Sequence, residues 1–225
     1  MERHFDQELK ELNKEILKMG AFAEEAICKS IEALSSRDRE LARSVIDKDA
    51  SVDKLELEID EKCVDLIARY QPMAKDLRLI TTGMKVNTEL ERIADIAVDI
   101  SQRTLELVDK PLLKPLVDIP KLAAVAQNMV KMAIDSFING DIELAKKVLS
   151  SDSEADRLRD LIQSELISDY LVKDGTTAPR AVQLLLIARF LERICDHATN
   201  VAEDVIYMVQ AEVVKHHPER LKDNQ

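Results

Sequence analysis

Four pairs of carboxylate residues, each with a spacing of four positions, recur at matching places in the two halves of this sequence of 225 residues. The pairs are Asp49 with Asp53, Glu91 with Asp95, Asp152 with Asp156, and Glu192 with Asp196. On an α-helix such residues share one face, about 6 Å apart along the axis, where two like charges repel each other. Packed carboxylates need cations, and all-oxygen ligands suit Mg²⁺, Ca²⁺, Mn²⁺ or iron better than a structural zinc ion. The spacing therefore indicates metal binding.

An internal repeat relates the four pairs. The segment DRELARSV at 38–45 matches DIELAKKV at 141–148, an offset of 103 residues. The segment ERIAD at 91–95 matches ERICD at 192–196, an offset of 101 residues. The second copy has therefore lost two residues between these landmarks, most simply in the turn between its last two helices. Each copy carries the same acidic pairs at equivalent positions.

Counting outward from the predicted turns shows where the pairs fall. Asp53 and Glu91 are equidistant from Pro72, and so are Asp49 and Asp95. The four acids of the second copy have the same symmetry about position 174. Residues equidistant from the turn of an antiparallel helical hairpin lie side by side. Each copy is therefore predicted to bring four carboxylates together.

Simpler interpretations of the acidic pairs stay open. In a chain with 43 acidic residues, pairs at this spacing also arise by chance on solvated helix faces. Arg92 and Arg193 each follow a glutamate of the pairs and provide charge that neutralises part of each cluster without metal. A structural scaffold with salt-bridged acidic faces is thus an alternative to a metal-binding protein.

Catalytic motifs give little support to an enzyme. A ferritin-type di-iron site requires Glu-x-x-His on two helices, and neither half contains it. The phosphate-loop motif G-x-x-x-x-G-K-[ST] is also absent. His197 points about 100° away from the adjacent Asp196, which favours a packing or surface role, and His216 and His217 lie in a polar tail. We predict a non-enzymatic protein, with a metal-dependent helical enzyme or a metal-storage protein as the alternative.

Long helices must position these residues. The composition is 46% hydrophobic and 33% charged but only 3% aromatic, which is typical of amphipathic helices. Periodic apolar segments, separated by helix-breaking residues, predict six helices at about 5–34, 38–70, 75–108, 119–139, 141–173 and 179–215. Pro111, Pro115 and Pro120 are interpreted as the linker. The prediction is an all-α fold of two tandem three-helix bundles, residues 1–112 and 113–225, with Gly20 and Gly83 allowing close helix approach.

Charge and cysteine content limit the function classes. The net charge of −11, without a clustered basic face, argues against direct nucleic-acid binding. Cys28, Cys63 and Cys195 lack metal or redox spacing and are predicted to be buried, reduced thiols. The polar N-terminus does not resemble a signal peptide, and the longest apolar run, at 181–188, is too short to cross a bilayer. These features predict a soluble cytoplasmic protein.

The sequence resembles the PhoU family, accessory proteins of the phosphate-specific transport system. The resemblance rests on LERIAD at 90–95, LERICDHATNVAE at 191–203, FDQEL at 5–9 and the tandem three-helix halves. The family often has Gly where this sequence has Ala94 and Cys195, and both replacements are small. Asn200 stands where the first copy has Asp99, which departs from the symmetry of the two copies.

The resemblance implies a negative regulator of phosphate uptake and of phosphate-starvation signalling. It implies a cytoplasmic adaptor that reaches the membrane only through two partners, while the long amphipathic helices favour a homodimer. These are the ATP-binding subunit of the phosphate ABC transporter and a phosphate-sensing histidine kinase. It also implies a divalent or multinuclear metal, either iron or Mg, Mn, Ca or Zn. The implied metal ligands are Asp49, Asp53, Glu91, Asp95, Asp152, Asp156, Glu192 and Asp196, with Asp99 and Asn200 as possible outer ligands.

Overall fold

The computed structural model describes residues 4–212, which form six α-helices and contain no β-strand. The helices are α1 (His4–Ser36), α2 (Arg39–Tyr70), α3 (Lys75–Leu107), α4 (Asp118–Asn139), α5 (Ile142–Glu165) and α6 (Ala178–Gln210). A π-helical turn at Leu166–Leu171 extends α5, and a 3-10 turn at Gly175–Thr177 precedes α6. The predicted all-α fold of six helices is confirmed.

The same side-chain cap begins the second helix of each repeat. The backbone N–H of Leu41 donates to the Asp38 carboxylate, and that of Leu144 donates to the Asp141 carboxylate, both at 3.0 Å. Such a cap satisfies an N–H group that has no partner within the helix. Gly140 ends α4 in the left-handed conformation, with φ of 63°, as its position in the sequence predicts.

Two three-helix units pack side by side. Helices α1, α2 and α3 contact one another, as do α4, α5 and α6. Among the helices within residues 4–212, the only contacts between the units are those of α3 with α6 and of α1 with α4. The facing sides of α3 and α6 are buried, including Leu90, Ile93, Leu191 and Ile194. The outer helix α2 packs along α3, and the outer helix α5 packs along α6. Each of these hairpins carries one of the predicted acidic clusters.

Two glycines allow helices to approach closely, as predicted. A Cβ atom on Gly20 of α1 would lie 2.6 Å from Cδ1 of Ile134 on α4. A Cβ atom on Gly83 of α3 would lie 3.1 Å from Cδ1 of Ile16 on α1. Ile16 and Ile134 are both buried, so neither methyl group has free space into which to move.

Helix α6 ends earlier than the sequence pattern indicates. The predicted end near Lys215 is wrong, because α6 stops at Gln210. Ala211 adopts a left-handed conformation with φ of 59°, and its N–H donates to the carbonyl oxygen of Tyr207. An alanine in this conformation gives no sequence signal, since glycine normally occupies it. His216 and His217 lie outside the described residues.

The structure also corrects predictions about one cysteine and one proline. Cys63 and Cys195 are buried as predicted, but Cys28 is exposed. It follows the buried Ile27 on α1, and one residue further along a helix points about 100° away. Pro120 lies in the first turn of α4 rather than in the linker, a position where proline is tolerated because the missing N–H would be unpaired anyway.

In the part of the chain that the structure describes, no helix combines the length and the apolar character that crossing a bilayer requires.

Candidate metal centre

The first acidic cluster joins α2 and α3. Asp49 and Asp53 lie one turn apart on α2, and Asp95 faces them from α3. One carboxylate oxygen from each of the three residues lies within 4.8 Å of the other two. Since Ca²⁺ and Mg²⁺ bind oxygen ligands at about 2.0–2.6 Å, opposite ligands of one cation are separated by about 4–5 Å. The structure therefore brings three predicted ligands within the span of one cation.

Glu91 completes this cluster and carries a strongly displaced pKa. Burial, followed by the charges of Asp95 and Glu56, raises the pKa of the Glu91 carboxyl to about 7. Burial and the neighbouring aspartates also raise the pKa values of Asp49 and Asp95. These shifts have two physical causes, which are first the burial of the carboxyls and then the repulsion between their negative charges.

Sequence reasoning missed Glu56, which belongs to the same cluster. Glu56 lies three residues after Asp53 and seven after Asp49, so helical geometry places it on the same face of α2. Burial and the charges of Asp60 and Asp53 raise the pKa of its carboxyl. The three- and seven-residue spacing could have identified it. Asp99 is half-buried and its charge also contributes to the raised pKa of Asp95, which places it beside the cluster.

The second cluster joins α5 and α6. Burial raises the pKa of Asp152, with contributions from the charges of Asp156 and Glu192. Burial also raises the pKa of Asp196, to which Glu192 and Asp152 contribute. The four acids from the two helices thus act on one another, as the count from the turn predicts. Among the described residues, however, the first cluster alone places three acidic ligand atoms within 4.8 Å of one another.

A guanidinium group occupies part of the second cluster. Arg159 Nη2 donates to Asp156 Oδ1 at 2.7 Å, and Arg159 Nη1 lies 3.7 Å from Glu192 Oε1. Its Nε lies 3.1 Å from Asp160 Oδ1, and the Arg159 side chain is only 22% exposed. The sequence pattern indicated Arg92 and Arg193 as neutralising charges, but both are exposed on the helix surface.

Arg159 could have been identified by comparing the repeats. It lies 103 residues after Glu56, which is the offset between Asp49 and Asp152 and between Asp53 and Asp156. The two halves therefore place side chains of opposite charge at one equivalent position. Matching the acids between repeats, without checking their neighbours, concealed this difference.

His197 and Asn200 contact a glutamate of α3 rather than the second cluster. His197 Nδ1 lies 2.5 Å from Glu89 Oε2, and the Asn200 side-chain amide donates to the same oxygen at 3.2 Å. Although burial opposes it, these contacts lower the pKa of Glu89. The role of Asn200 as an outer ligand thus receives no support from its position, because its amide belongs to the interface between α3 and α6.

The donor atoms at both clusters fit a hard cation. Every predicted ligand of the two clusters is a carboxylate oxygen, the donor that Mg²⁺, Ca²⁺ and Mn²⁺ prefer. Cys195 lies beside the second cluster, but burial raises the pKa of its thiol, so it remains protonated at neutral pH. Burial likewise raises the pKa of Cys63 to about 12. Cys63 and Cys195 also lack the close sequence spacing that is typical of a structural zinc site.

The fold and these clusters define an all-helical tandem-repeat protein with an acidic cluster in each repeat. A family model described as the PhoU domain matches residues 16–104 and again residues 119–205. The chain belongs to the PhoU family. It is 41% identical over 210 residues to a phosphate-specific transport system accessory protein PhoU homolog of Aquifex aeolicus, covering 93% of this chain and 95% of the relative.

Two further comparisons extend over nearly the whole chain. It is 38% identical over 222 residues to the phosphate-specific transport system accessory protein PhoU homolog 2 of Thermotoga maritima, covering 98% of this chain and 94% of the relative. The crystal structure of PhoU from Pseudomonas aeruginosa superposes with a TM-score of 0.89 at 35% identity, covering 93% of this chain and 100% of that one.

Proposed function

We propose that this protein is a negative regulator of phosphate uptake and of phosphate-starvation signalling. The observation that carries the proposal is the end-to-end similarity to phosphate-specific transport system accessory proteins, which covers 93% of this chain in one relative and 98% in another. Similarity of this extent includes both repeats, so the proposal applies to the whole chain rather than to one repeat.

The proposed mechanism is contact between proteins rather than catalysis. The protein acts in the cytoplasm as an adaptor between the ATP-binding subunit of a phosphate ABC transporter and a phosphate-sensing histidine kinase. The long, charged faces of α2 and α5 offer extended docking surfaces. Helix α2 packs on α3 and helix α5 packs on α6, and α3 and α6 pack against each other. When phosphate is plentiful, the adaptor holds the kinase in its repressed state.

The proposal includes a divalent metal bound by the acidic clusters. Asp49, Asp53, Glu91 and Asp95 would hold it in the first half, where oxygen atoms of the three aspartates lie within 4.8 Å of one another. The equivalent acids of the second half form the second candidate site. A bound cation would join α2 to α3 and α5 to α6, and so stiffen the surfaces that meet the partners.

Self-association is also part of the proposal. Val64 of α2 and Ile167, in the π-helical turn after α5, occupy equivalent positions of the two repeats. Their side chains are 57% and 39% exposed, and Leu57, two turns before Val64, is 61% exposed. Apolar residues exposed on the outer helices support a homodimer. Light scattering on the purified chain would measure a dimer, whereas a monomer at all concentrations would contradict this part.

Complementation tests the regulatory role. The chain is expressed in a bacterium that lacks its own PhoU and carries a reporter of phosphate starvation. We expect the reporter to be repressed in phosphate-rich medium, and the tagged chain to co-purify with the transporter's ATP-binding subunit and the kinase. A folded, expressed chain that neither represses the reporter nor binds either partner would contradict the proposal.

Coupling of metal to signalling requires a second comparison. The double substitution Asp95→Ala with Asp196→Ala removes one carboxylate from each cluster, and Asp47→Asn, an exposed aspartate of α2, is the matched control. We expect the double variant to lose both metal and repression, while Asp47→Asn keeps both. Loss of metal with full repression would show that metal and signalling are independent.

A further inference from the structure

The two acidic clusters differ at one equivalent position, where the first half has Glu56 and the second half has Arg159. We propose that Arg159 is a built-in counter-cation of the second cluster, so that divalent metal binds preferentially at the first cluster. This inference rests on the proposed metal-binding function, and it names which half of the protein binds the metal tightly.

The formal charges of the clusters support this preference. The first contains five carboxylates, from Asp49, Asp53, Glu56, Glu91 and Asp95. The second contains four carboxylates and the Arg159 guanidinium, so exchanging Glu56 for Arg159 changes the formal charge by two units. Attraction for a divalent cation grows with the negative charge around it, although solvent screens part of that attraction because Asp53, Asp95 and Asp196 are exposed.

The position of Arg159 makes it a strong competitor for the metal. Arg159 Nη2 donates a hydrogen bond to Asp156 Oδ1. Asp156 is equivalent to Asp53, one of the three aspartates whose carboxylate oxygens lie within 4.8 Å of one another in the first cluster. A metal ion at the second cluster would therefore have to displace a charge-assisted hydrogen bond. The Arg159 side chain is mostly buried, and turning it towards solvent would also sacrifice its 3.1 Å ion pair with Asp160.

No comparable cation reaches the first cluster. Within residues 4–212, no lysine or arginine nitrogen lies within 4.0 Å of the carboxylates of Asp49, Asp53, Glu91 or Asp95. Lys48, the lysine adjacent to Asp49, instead pairs with Glu25 of α1 at 2.5 Å. The first cluster thus lacks a protein counter-charge in direct contact.

Exchange of the two residues tests the inference. Mn²⁺ is titrated into the metal-free full-length chain, with calorimetry and electron paramagnetic resonance of free Mn²⁺ as readouts. Arg159→Glu gives the second half the charge of the first, and Glu56→Arg does the reverse. Arg157→Glu makes the same charge change at an exposed position of α5 and is the matched control. Circular dichroism establishes that each variant is folded.

We expect the wild-type chain to have a single class of tight sites, which Asp95→Asn removes and Asp196→Asn leaves in place. Arg159→Glu should create a second tight class by strengthening binding there about tenfold or more, whereas Arg157→Glu should behave as the wild type. Glu56→Arg should weaken the original class by a similar factor. Equal tight binding at both clusters of the wild type, unchanged by Arg159→Glu, would overturn this inference alone. Absence of Mn²⁺ binding in all of these proteins would overturn the metal part of the proposed function.

Discussion

Asp49 of α2 and Asp95 of α3 place carboxylate oxygens within 4.8 Å of each other, although they lie 46 positions apart in the sequence. Their proximity depends on the register of the α2–α3 hairpin, because a shift of one residue in either helix would rotate a carboxylate about 100° out of the cluster. The register is held by the buried apolar residues that follow the same helices, among them Val52 and Ile93. The core thus positions a site that is electrostatically unfavourable without a cation.

Glu91 predicts a pH dependence for the metal-free protein. The pKa of its carboxyl rises from an ordinary 4.5 to about 7 in the folded chain, so between these values the folded state binds this proton more tightly than the unfolded state. Its contribution to the free energy of unfolding therefore falls as pH rises from about 4.5 to 7. Urea unfolding at pH 5 and pH 8, in the presence of a chelator, measures this change in the free energy of unfolding.

The substitution Glu91→Gln provides the comparison for that measurement. Relative to the wild type, the Gln variant should gain stability as pH rises from 5 to 8, because it cannot acquire the unfavourable charge. Glu58→Gln, an exposed glutamate of α2, should show no such gain. A difference between Glu91→Gln and the wild type that does not change with pH would contradict the prediction.

Gly20 is predicted to be required for contact between α1 and α4. Gly20→Ala would place a methyl group 2.6 Å from Cδ1 of Ile134, and overpacking of a core typically costs about 1–3 kcal/mol. Better helix propensity offsets about 1 kcal/mol of that loss. We expect Gly20→Ala to lower the free energy of unfolding in the wild type and to cost less in an Ile134→Val background, which lacks Cδ1. Additive effects in this double-mutant cycle would show that the two residues do not clash.

The caps of α2 and α5 give a prediction for both repeats. Asp38→Ala and Asp141→Ala should each lower the free energy of unfolding by about 1 kcal/mol, because the N–H groups of Leu41 and Leu144 lose their acceptors. Asp38→Asn and Asp141→Asn should retain most of the stability, since asparagine is an equally good cap. Equal losses for Ala and Asn, measured by urea unfolding, would indicate that another property of these aspartates matters.

Much of this fold follows from the sequence because long helices leave clear signals. Pro72 and Gly140 mark helix ends, and the repeat allows the position of each turn to be checked against the other copy. The apolar spacing of α3 and α6 then sets which residues are buried. The hairpin register, and with it the two acidic clusters, could be obtained by counting from the turns.

Other features depend on side-chain reach and local conformation, which spacing does not reveal. Arg159 extends along α5 and contacts Glu192 of α6, whereas Arg193, adjacent to that glutamate in sequence, points away from the cluster. Cys28 was predicted to be buried from its apolar neighbours, but its position around α1 makes it exposed. The left-handed Ala211 ends α6 without any residue that signals a helix end.

Elemental analysis of the purified chain tests the central claim most directly, which is that the acidic clusters bind a divalent metal. The chain is purified without added metal or chelator, alongside the double variant Asp49→Asn with Asp95→Asn and the control Asp47→Asn. We expect a stoichiometric amount of divalent metal in the wild type and the control, and less metal in the double variant, which lacks two ligands of the first cluster. Metal at background level in the wild type, or an equal amount in the double variant, would contradict metal binding at the first cluster.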